Sequence, residues 1–581
     1  MKSRTSFFNP AVLRKDITRF APAWGLYTVF SLLTVFLFLA DQNEPARVAC
    51  DAQYIMQLMG IVNFGYGGIC AILLFGDLFQ SKMAGSLHAM PMRREGWFLT
   101  HLCAGMLFCL VPNAIGAIIA CMMLQQYCYL AFLWLGLMLL QYLFFFGLGA
   151  FSAQCTGNRL GMVAVYGLIN FLAVLVAFLV DTFYAPVLYG IKTNWEAICK
   201  HSPVVGFSTF EYVSVEYDNM YALAHFEGYH PEQWRYLFIA AGVGVALLGA
   251  SVLLYRRRHM ECAGDFIAVK PAAPIFLVLY TLCVGAVLYF IADQLNTDLE
   301  YIFLLIGFAI GYFTGSMLLE KKVNVFQMKK WIGYGVLTLA FFLTVALAWM
   351  DPMGITRYVP EASQVESVNV RPYASSYYVS NNWQTLTDPQ DIQMVLDMHS
   401  DAIQSRYENP DNGVYVTLRY ELRGGGTVDR QYLVDTNSPA GKAMQVLTSR
   451  FYYVTGVKTL EELAENVDFV EYRSHTMDPG YYLTTGQDVE DYKYYEEETV
   501  RFTGETGKAY IQGLLEAVEQ DCKEGNMSQV WEFHPGAETQ GYITVCYGVD
   551  RYREEYMDIA VFSDCKNTMA YLKTLPTASE E

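Results

Sequence analysis

Residues 86–97, SLHAMPMRREGW, interrupt two long apolar runs that cover residues 55–76 and 98–124. Each run, as a helix, is long enough to cross a hydrocarbon core about 30 Å thick. The interruption is therefore predicted to be a loop at a membrane surface. Its adjacent arginines, Arg93 and Arg94, indicate the cytoplasmic surface, because loops on that side carry an excess of basic residues.

The chain divides into an apolar part and an acidic part. It has 581 residues, of which 54% are hydrophobic and 17% are charged. Residues 351–581 contain 38 of the 57 acidic residues but only 18 of the 39 Lys and Arg. An acidic region of this size argues against a nucleic-acid partner, because phosphate contacts need a basic face. We expect a membrane domain followed by an acidic soluble domain.

Nine stretches have the length and composition of transmembrane helices. They are residues 21–40, 55–76, 98–124, 129–151, 161–180, 236–255, 272–292, 300–318 and 331–349. With a cytoplasmic N-terminus, the inner segments hold 17 Lys and Arg and the outer segments hold 4. This asymmetry predicts a multi-pass protein of the plasma membrane with an extracytoplasmic C-terminal domain.

The interiors of these nine stretches contain no Asp, Glu, Lys or Arg. Ion-coupled transporters usually keep ionisable groups within the membrane, so a proton relay is disfavoured. Asn63, Asn113, Gln141 and Asn170 are interpreted as hydrogen-bonding contacts between helices. If the protein moves a substrate, we expect the energy to come from another chain.

A short amphipathic helix is predicted before the first span, within SFFNPAVLRKDITRF (residues 6–20). Asn9 can cap it, with Pro10 in the first turn. Its apolar residues fall on one face and its basic residues lie elsewhere, which is typical of a helix in the membrane interface. An unstructured basic tail is the alternative.

The layout resembles the permease subunit of a type-2 ATP-binding-cassette (ABC) exporter. The similarity covers residues 1–260: an interface helix (1–20), six spans (21–260), a cytoplasmic loop between spans two and three (77–97) and a long outer segment (181–234). The stretch FGDLFQSKMAGSLHAMPMRREGWFLTHLCAGMLFCLVP (75–112) is similar to the family pattern, in which a small residue, a Leu-Pro pair and a basic residue precede the third span. Met90 here replaces the usual leucine.

The resemblance implies that the loop docks on a separate cytoplasmic ATPase. Loop residues suited to this role are Leu87, Met90, Pro91, Met92, Arg93 and Arg94. The apolar ones can fill a groove, the arginines can pair with carboxylates, and Trp97 is predicted to anchor the third span at the interface. The resemblance also implies a second permease subunit, as homo- or heterodimer. A plain basic loop without a docking role is the alternative.

The chain shows no catalytic, cofactor or metal site of its own. FTGETGKAY (502–510) differs from a Walker A motif because Phe502 occupies the first glycine position and Ala509 follows Lys508. No HExxH, GxSxG or CxxC motif is present. We therefore expect ATP to be bound by the partner and no enzymatic activity in this chain. One disulfide among Cys522, Cys546 and Cys565 is left open.

Residues beyond 260 extend the six-span layout. Residues 261–350 hold three more spans, and Gly307, Gly311 and Gly315 line one face of the second of them. This face predicts close packing with another helix, either in the same chain or in a second copy. Residues 351–581 are predicted to fold as α+β layers, with two β-α-β-β-α repeats as the hypothesis.

Two functional hypotheses follow. In the first, the chain is the permease subunit of an exporter that moves a peptide antibiotic, a lipid-linked molecule or a small metabolite. In the second, it is a membrane sensor whose acidic domain detects a ligand and signals without transport.

Overall fold

The structure is a computed structural model, and it divides into two compact units. It describes residues 8–38, 45–80, 82–83, 93–124, 128–217, 224–258, 260–296, 298–373, 384–405, 413–450, 454, 460, 467–474, 499–529, 533–534, 537–550 and 553–574. One unit comprises residues 1–184 and 194–346, and the other comprises residues 185–193 and 347–581.

The first unit is built almost entirely of helices and also contains one small β-hairpin. Its helices are α1 (Pro10–Arg19), α2 (Ala21–Phe38), α3 (Pro45–Leu74), α4 (Arg94–Leu124), α5 (Cys128–Cys155), α6 (Arg159–Asn170), α7 (Leu172–Leu179), α8 (Trp195–Cys199), α9 (Pro203–Thr209), α10 (Pro231–Arg257), α11 (Ala272–Gln294), α12 (Glu300–Glu320) and α13 (Met328–Met350). The hairpin pairs β1 (Val213–Tyr217) with β2 (Ala224–Tyr229).

Seven of the described helices are long and apolar enough to cross a membrane: α3, α4, α5, α10, α11, α12 and α13. Two further pairs pass the same test together but are bent, α1 with α2 by 65° and α6 with α7 by 56°. The described part of the chain thus has seven to nine candidate spans, compatible with a polytopic membrane protein. Helices cover most described residues of each of the nine predicted stretches, but the stretch 161–180 is broken by a turn at Phe171 and the stretch 55–76 leaves the α-helix after Leu74.

Local sequence explains where several helices begin. The Asn9 side chain accepts hydrogen bonds from the backbone N–H groups of Ala11 (2.9 Å) and Val12 (3.4 Å), and Pro10 occupies the first helical position of α1. Asn158 caps α6 in the same way. These side chains satisfy N–H groups that have no partner within their helix.

Small residues allow α5 and α10 to pack with their backbones in contact. A Cβ atom at Gly147 would lie 2.5 Å from the carbonyl oxygen of Gly244, and one at Gly244 would lie 2.7 Å from the carbonyl oxygen of Leu143. Neither position accepts a larger residue without separating the helices. Close glycine crossings of this kind are common between helices in membranes.

The second unit contains two four-stranded antiparallel sheets. Its first half consists of β3 (Val365–Tyr373), β4 (Gln384–Leu386), α14 (Pro389–Gln404), β5 (Gly413–Leu422), β6 (Thr427–Asp435) and α15 (Pro439–Thr448). Its second half consists of β7 (Val467–Ser474), β8 (Thr499–Thr503), α16 (Gly504–Glu524), β9 (Thr539–Asp550), β10 (Arg553–Phe562) and α17 (Lys566–Leu572). The sheet orders are β4-β3-β5-β6 and β8-β7-β9-β10. Both halves therefore have the same sequence of elements and the same strand order.

Each half has one strand more than the predicted β-α-β-β-α order. The short β4 pairs with β3 at Val368 and Leu386. In the second half, the strand predicted around 498–504 is β8, at the sheet edge, and β7 beside it was missed. The sequence of β7, VDFVEYRS, does not alternate regularly between apolar and polar residues, so it lacks the period-two pattern that identifies a strand.

A histidine is buried between two tyrosines in the first half. Its Nε2 atom lies 2.8 Å from the Tyr432 hydroxyl and its Nδ1 atom lies 3.1 Å from the Tyr420 hydroxyl. Burial, and secondarily the nearby Arg430, lowers the pKa of His399 to about 4. The imidazole is therefore neutral at pH 7, where it donates one hydrogen bond and accepts the other.

The cysteines of the second half are buried. Cys522, Cys546 and Cys565 form no disulfide, so the disulfide left open by the sequence is not formed. Burial raises the pKa of the Cys565 thiol to about 12, which keeps it protonated. These thiols act as small apolar side chains in the packing of this half.

Candidate functional site

The predicted docking loop is described only at its two ends. Leu87, Met90, Pro91 and Met92 lie outside the described residues. Arg93 and Arg94 are described and exposed, and Arg94 is the first residue of α4. Their charged groups are accessible to a partner or to lipid phosphate.

A cluster of aromatic side chains joins the ends of the loop to the helices. We call Phe75, Trp97, Phe98 and Tyr255 the loop base. Phe75, next to the end of α3, stacks on Phe98 of α4 at 5.0 Å between ring centroids. Tyr255, near the end of α10, stacks on Phe98 at 5.3 Å and on Trp97 at 5.7 Å. The loop base is buried, so α3, α4 and α10 are held together where the loop begins and ends.

Trp97 was predicted to anchor the third span at the membrane interface, and this is wrong. Its side chain is only 6% exposed and contacts the His101 ring at 4.1 Å between centroids. Phe75 and Tyr255 cover it from neighbouring segments, so the indole is part of the packed loop base. The pattern of a tryptophan beside basic residues does not distinguish these two environments.

Two ion pairs and one buried carboxyl–imidazole contact brace the same region. Glu95 in the first turn of α4 pairs with Arg256 of α10 at 3.1 Å. Asp77, in a 3-10 turn after α3, lies 3.6 Å from Arg19 of α1. Both pairs are partly exposed, and such pairs contribute little to stability individually. Their role here is to fix positions, because each ion pair connects a segment next to the loop with another helix.

The third contact is buried. Asp16 of α1 and His101 of α4 approach to 2.7 Å, and their side chains are 3% and 4% exposed. The backbone N–H of Asn9 also donates to the Thr100 hydroxyl at 3.2 Å, so α1 is fixed to α4 at two points. A buried pair of this kind makes the removal of either partner costly.

Asp16 was not among the predicted site residues, although its position in the sequence indicates that it needs a partner. The position is three residues after Leu13 and four before Phe20, which places a carboxylate on the apolar face of the predicted helix. A charged residue on that face requires a buried partner. His101 of α4 supplies it.

A continuous chain of hydrogen bonds crosses the centre of the first unit. Its members are fully or almost fully buried side chains from four helices and from the segment after α9: Ser31, Asn113, Tyr27, Asn63, Gln141 and Tyr212. In that order, each donates to or accepts from the next at distances of 2.9, 3.1, 2.9, 2.9 and 3.3 Å. The Tyr212 hydroxyl then donates to the carbonyl oxygen of Phe207 at 3.1 Å. We call this set the polar chain.

The polar chain fits a structural role. Asn63, Asn113 and Gln141 bond across helices, as predicted for these three residues. No member is a carboxylate, an amine or a histidine, so the chain lacks the groups that proton relays use. Asn170 differs from the prediction, because its amide nitrogen donates to the Tyr166 carbonyl of its own helix at 2.9 Å. It lies where α6 ends and the chain bends into α7.

A tyrosine replaces a hydrogen bond that proline removes from α4. Pro112 lacks an N–H group, so the Phe108 carbonyl four residues earlier has no helical donor. The Tyr66 hydroxyl of α3 donates to that carbonyl at 3.1 Å. In a membrane interior no water is present to take this place.

Replacing this tyrosine by phenylalanine is expected to destabilise the protein by about 1–3 kcal/mol, because it leaves a buried carbonyl unsatisfied. In a Pro112→Ala background the cost of Tyr66→Phe should fall, since residue 112 then donates to Phe108 itself. Unfolding of the four purified variants in mixed micelles measures both values. Tyr142→Phe is the control: Tyr142 donates to the Gly105 carbonyl at 2.8 Å, which the helix already uses, so its cost should not depend on Pro112. Equal costs of Tyr66→Phe in both backgrounds would contradict the assignment.

The glycines predicted to line a packing face lie against α11 of the same chain. A Cβ atom would lie 2.7 Å from the Gly285 Cα atom if built at Gly307, and 2.9 Å from the Thr281 Cα atom if built at Gly311. At Gly315 it would lie 2.8 Å from a methyl carbon of Leu277. The geometry matches the intramolecular alternative, because this face of α12 is already covered.

Comparison with known proteins adds no relative from which a function could be transferred. No protein-family model, curated protein or solved structure matches the chain. Among the described residues, no group of three or more His, Cys, Asp or Glu side chains is arranged to hold a metal ion. The loop base, its ion pairs and the polar chain are therefore the features that bear on the function of this chain.

Proposed function

We propose that the chain is the transmembrane permease subunit of an ABC exporter of type 2. A separate cytoplasmic ATPase would supply the energy and bind the ATP, and a second permease subunit would complete the complex. The candidate spans, the basic loop between the second and third of them and the distribution of Lys and Arg support this proposal. The same distribution supports a cytoplasmic N-terminus and an extracytoplasmic C-terminal unit.

The loop base is the observation that carries the proposal. Both ends of the loop are packed into one buried aromatic cluster with α10. The buried Asp16–His101 pair adds α1 to this assembly. A force applied to the exposed arginines would displace α1, α3, α4 and α10 together, since tightly packed interiors transmit strain. A loop that only marked membrane orientation would need no such connections.

The polar chain supports an external source of energy. It connects α2, α3, α4 and α5 through groups that hold the helices in register and carry no charge. Of the helices that the loop base would move, α3 and α4 therefore have a second set of contacts at the centre of the unit, where they bond to α2 and α5. In this proposal, closure of the ATPase rearranges these helices and opens a path for a peptide antibiotic, a lipid-linked molecule or a small metabolite.

Reversal of the two exposed arginines tests the docking role. The double variant Arg93→Glu/Arg94→Glu should weaken association with the ATPase and lower ATP hydrolysis of the reconstituted complex by at least about tenfold, because like charges replace attractive pairs at the interface. The measurements are co-purification from native membranes and ATP hydrolysis in proteoliposomes.

Arg14→Glu/Lys15→Glu is the matched control, because these residues are also basic and exposed, and they lie on the outward side of α1. It should leave association and hydrolysis near the wild-type level. Wild-type association in the Arg93/Arg94 variant would refute docking through this loop. Absence of any ATP-hydrolysing chain in the purified wild-type complex would refute the proposed function itself.

A further inference from the structure

A half-open apolar groove lies on the first unit between α5, α6, α10 and α11. Its volume is about 470 Å³, and every side chain that lines it is apolar or a cysteine. The wall contributed by α10 includes Ala250, Leu253 and Leu254, and the opposite wall on α11 includes Ile275 and Phe276. Leu253 and Ile275 are 59% and 63% exposed, so the groove opens toward the surroundings of the candidate spans.

One end of the groove is closed by the linker between α10 and α11. This linker folds back on the turn between α5 and α6: the Gly157 N–H donates to the Asp265 carbonyl at 2.8 Å, and the Ala268 N–H donates to the Cys155 carbonyl at 2.8 Å. Arg258 also donates from its guanidinium to the Ala153 carbonyl at 2.7 Å. The closed end is therefore built from backbone contacts and has a fixed position.

Basic side chains stand at this closed end. Arg257 follows Leu253 by four residues and Leu254 by three, so it continues the groove-lining stripe of α10 to the end of the helix. Lys270 lies between Val269 and Ala272, which both line the groove. Arg257 and Lys270 are exposed, and neither has an ion-pair partner in the described part of the chain.

The acidic groups of the linker do not neutralise this end. Asp265 is engaged by Lys321 at 2.5 Å. Glu261 is exposed, and its single negative charge is outnumbered by the positive charges of Arg257 and Lys270. An apolar groove that ends at uncompensated positive charge has the pattern of a site for an anionic lipid.

We propose that the groove binds an anionic phospholipid. One acyl chain lies between α10 and α11, and the phosphate is held by Arg257 and Lys270. The lipid fills the space that separates α10, in the six-span layout, from the first of the three additional helices. This assignment concerns a lipid ligand and is independent of the proposed transport function.

The test uses the full-length protein in zwitterionic nanodiscs or detergent, with native mass spectrometry to count bound lipids. Phosphatidylglycerol and phosphatidylcholine with identical acyl chains are titrated in competition. We expect wild-type protein to retain phosphatidylglycerol at least about tenfold more strongly, the effect of two basic side chains near a phosphate. Arg257→Gln/Lys270→Gln should abolish the preference while leaving residual binding of both lipids.

Two further variants separate the groove from general surface charge. Lys322→Gln/Lys329→Gln removes two exposed basic residues outside the groove and should retain the preference. Ala250→Trp should fill the groove and remove the retained lipid of either type. The proposal is overturned if wild-type protein binds the two lipids equally, if the preference survives Arg257→Gln/Lys270→Gln, or if Ala250→Trp leaves the bound lipid in place.

Discussion

Replacing His101 by leucine is expected to lower the free energy of unfolding by about 3 kcal/mol, because the buried Asp16 carboxyl would lose the polar side chain that lies against it. The Asp16 carboxylate would remain buried at 2% exposure, with the imidazole 2.7 Å away removed. Unfolding of the purified protein in mixed micelles measures the loss. The double variant Asp16→Leu/His101→Leu should recover most of it, because apolar residues of similar volume can replace a buried pair at little cost.

The double variant also separates stability from coupling. If the pair transmits motion from the loop base to α1, Asp16→Leu/His101→Leu should be stable, and the ATPase in complex with this variant should hydrolyse ATP more slowly than in the wild-type complex. A single variant as stable as the wild type would show that the pair contributes no net interaction. Failure of the double variant to recover stability would show that the two residues act through separate neighbours.

The second large effect is expected at the glycine face of α12. Gly311→Leu should destabilise the protein by about 3 kcal/mol, at the upper end of what overpacking costs in well-packed interiors. Its Cβ atom would lie 2.9 Å from the Thr281 Cα atom, and backbone cannot move aside as a flexible side chain can. Thermal unfolding in nanodiscs measures the change.

Gly335→Leu on α13 provides the matched control. A Cβ atom at Gly335 has no heavy atom within 4 Å, so this variant should unfold near the wild-type temperature. Oligomeric state should be the same for both variants and the wild type. If Gly311→Leu instead converted a dimer into a stable folded monomer, the glycine face would be an interface between chains.

Much of the first unit could be predicted because the sequence patterns of its helices lie within short stretches of the chain. Apolar runs and basic loops are readable without knowledge of packing, and helices cover most of each of the nine predicted stretches. The capped start of α1 at Asn9 and Pro10 was equally readable. Strand β7 was not, because its place between β8 and β9 depends on pairing partners distant in sequence rather than on its own alternation.

The candidate site was predicted only in part, for the same physical reason. The exposed arginines follow from the loop pattern, whereas the burial of Trp97 depends on Phe75 and Tyr255, which come from other segments. The hydrogen bond from Tyr66 to the Phe108 carbonyl also depends on how far α3 is shifted along α4 where the two helices pack. A single sequence shows that Pro112 leaves a carbonyl free, but not which side chain satisfies it.

The buried Asp16–His101 contact has a consequence for biogenesis. Translation delivers the carboxylate long before the imidazole, which emerges only with the third hydrophobic helix. Until then Asp16 must stay hydrated at the edge of the bilayer, because an unpaired charge is unfavourable in hydrocarbon. The N-terminal helix can thus reach its final position only after the segment that contains His101 has emerged from the ribosome.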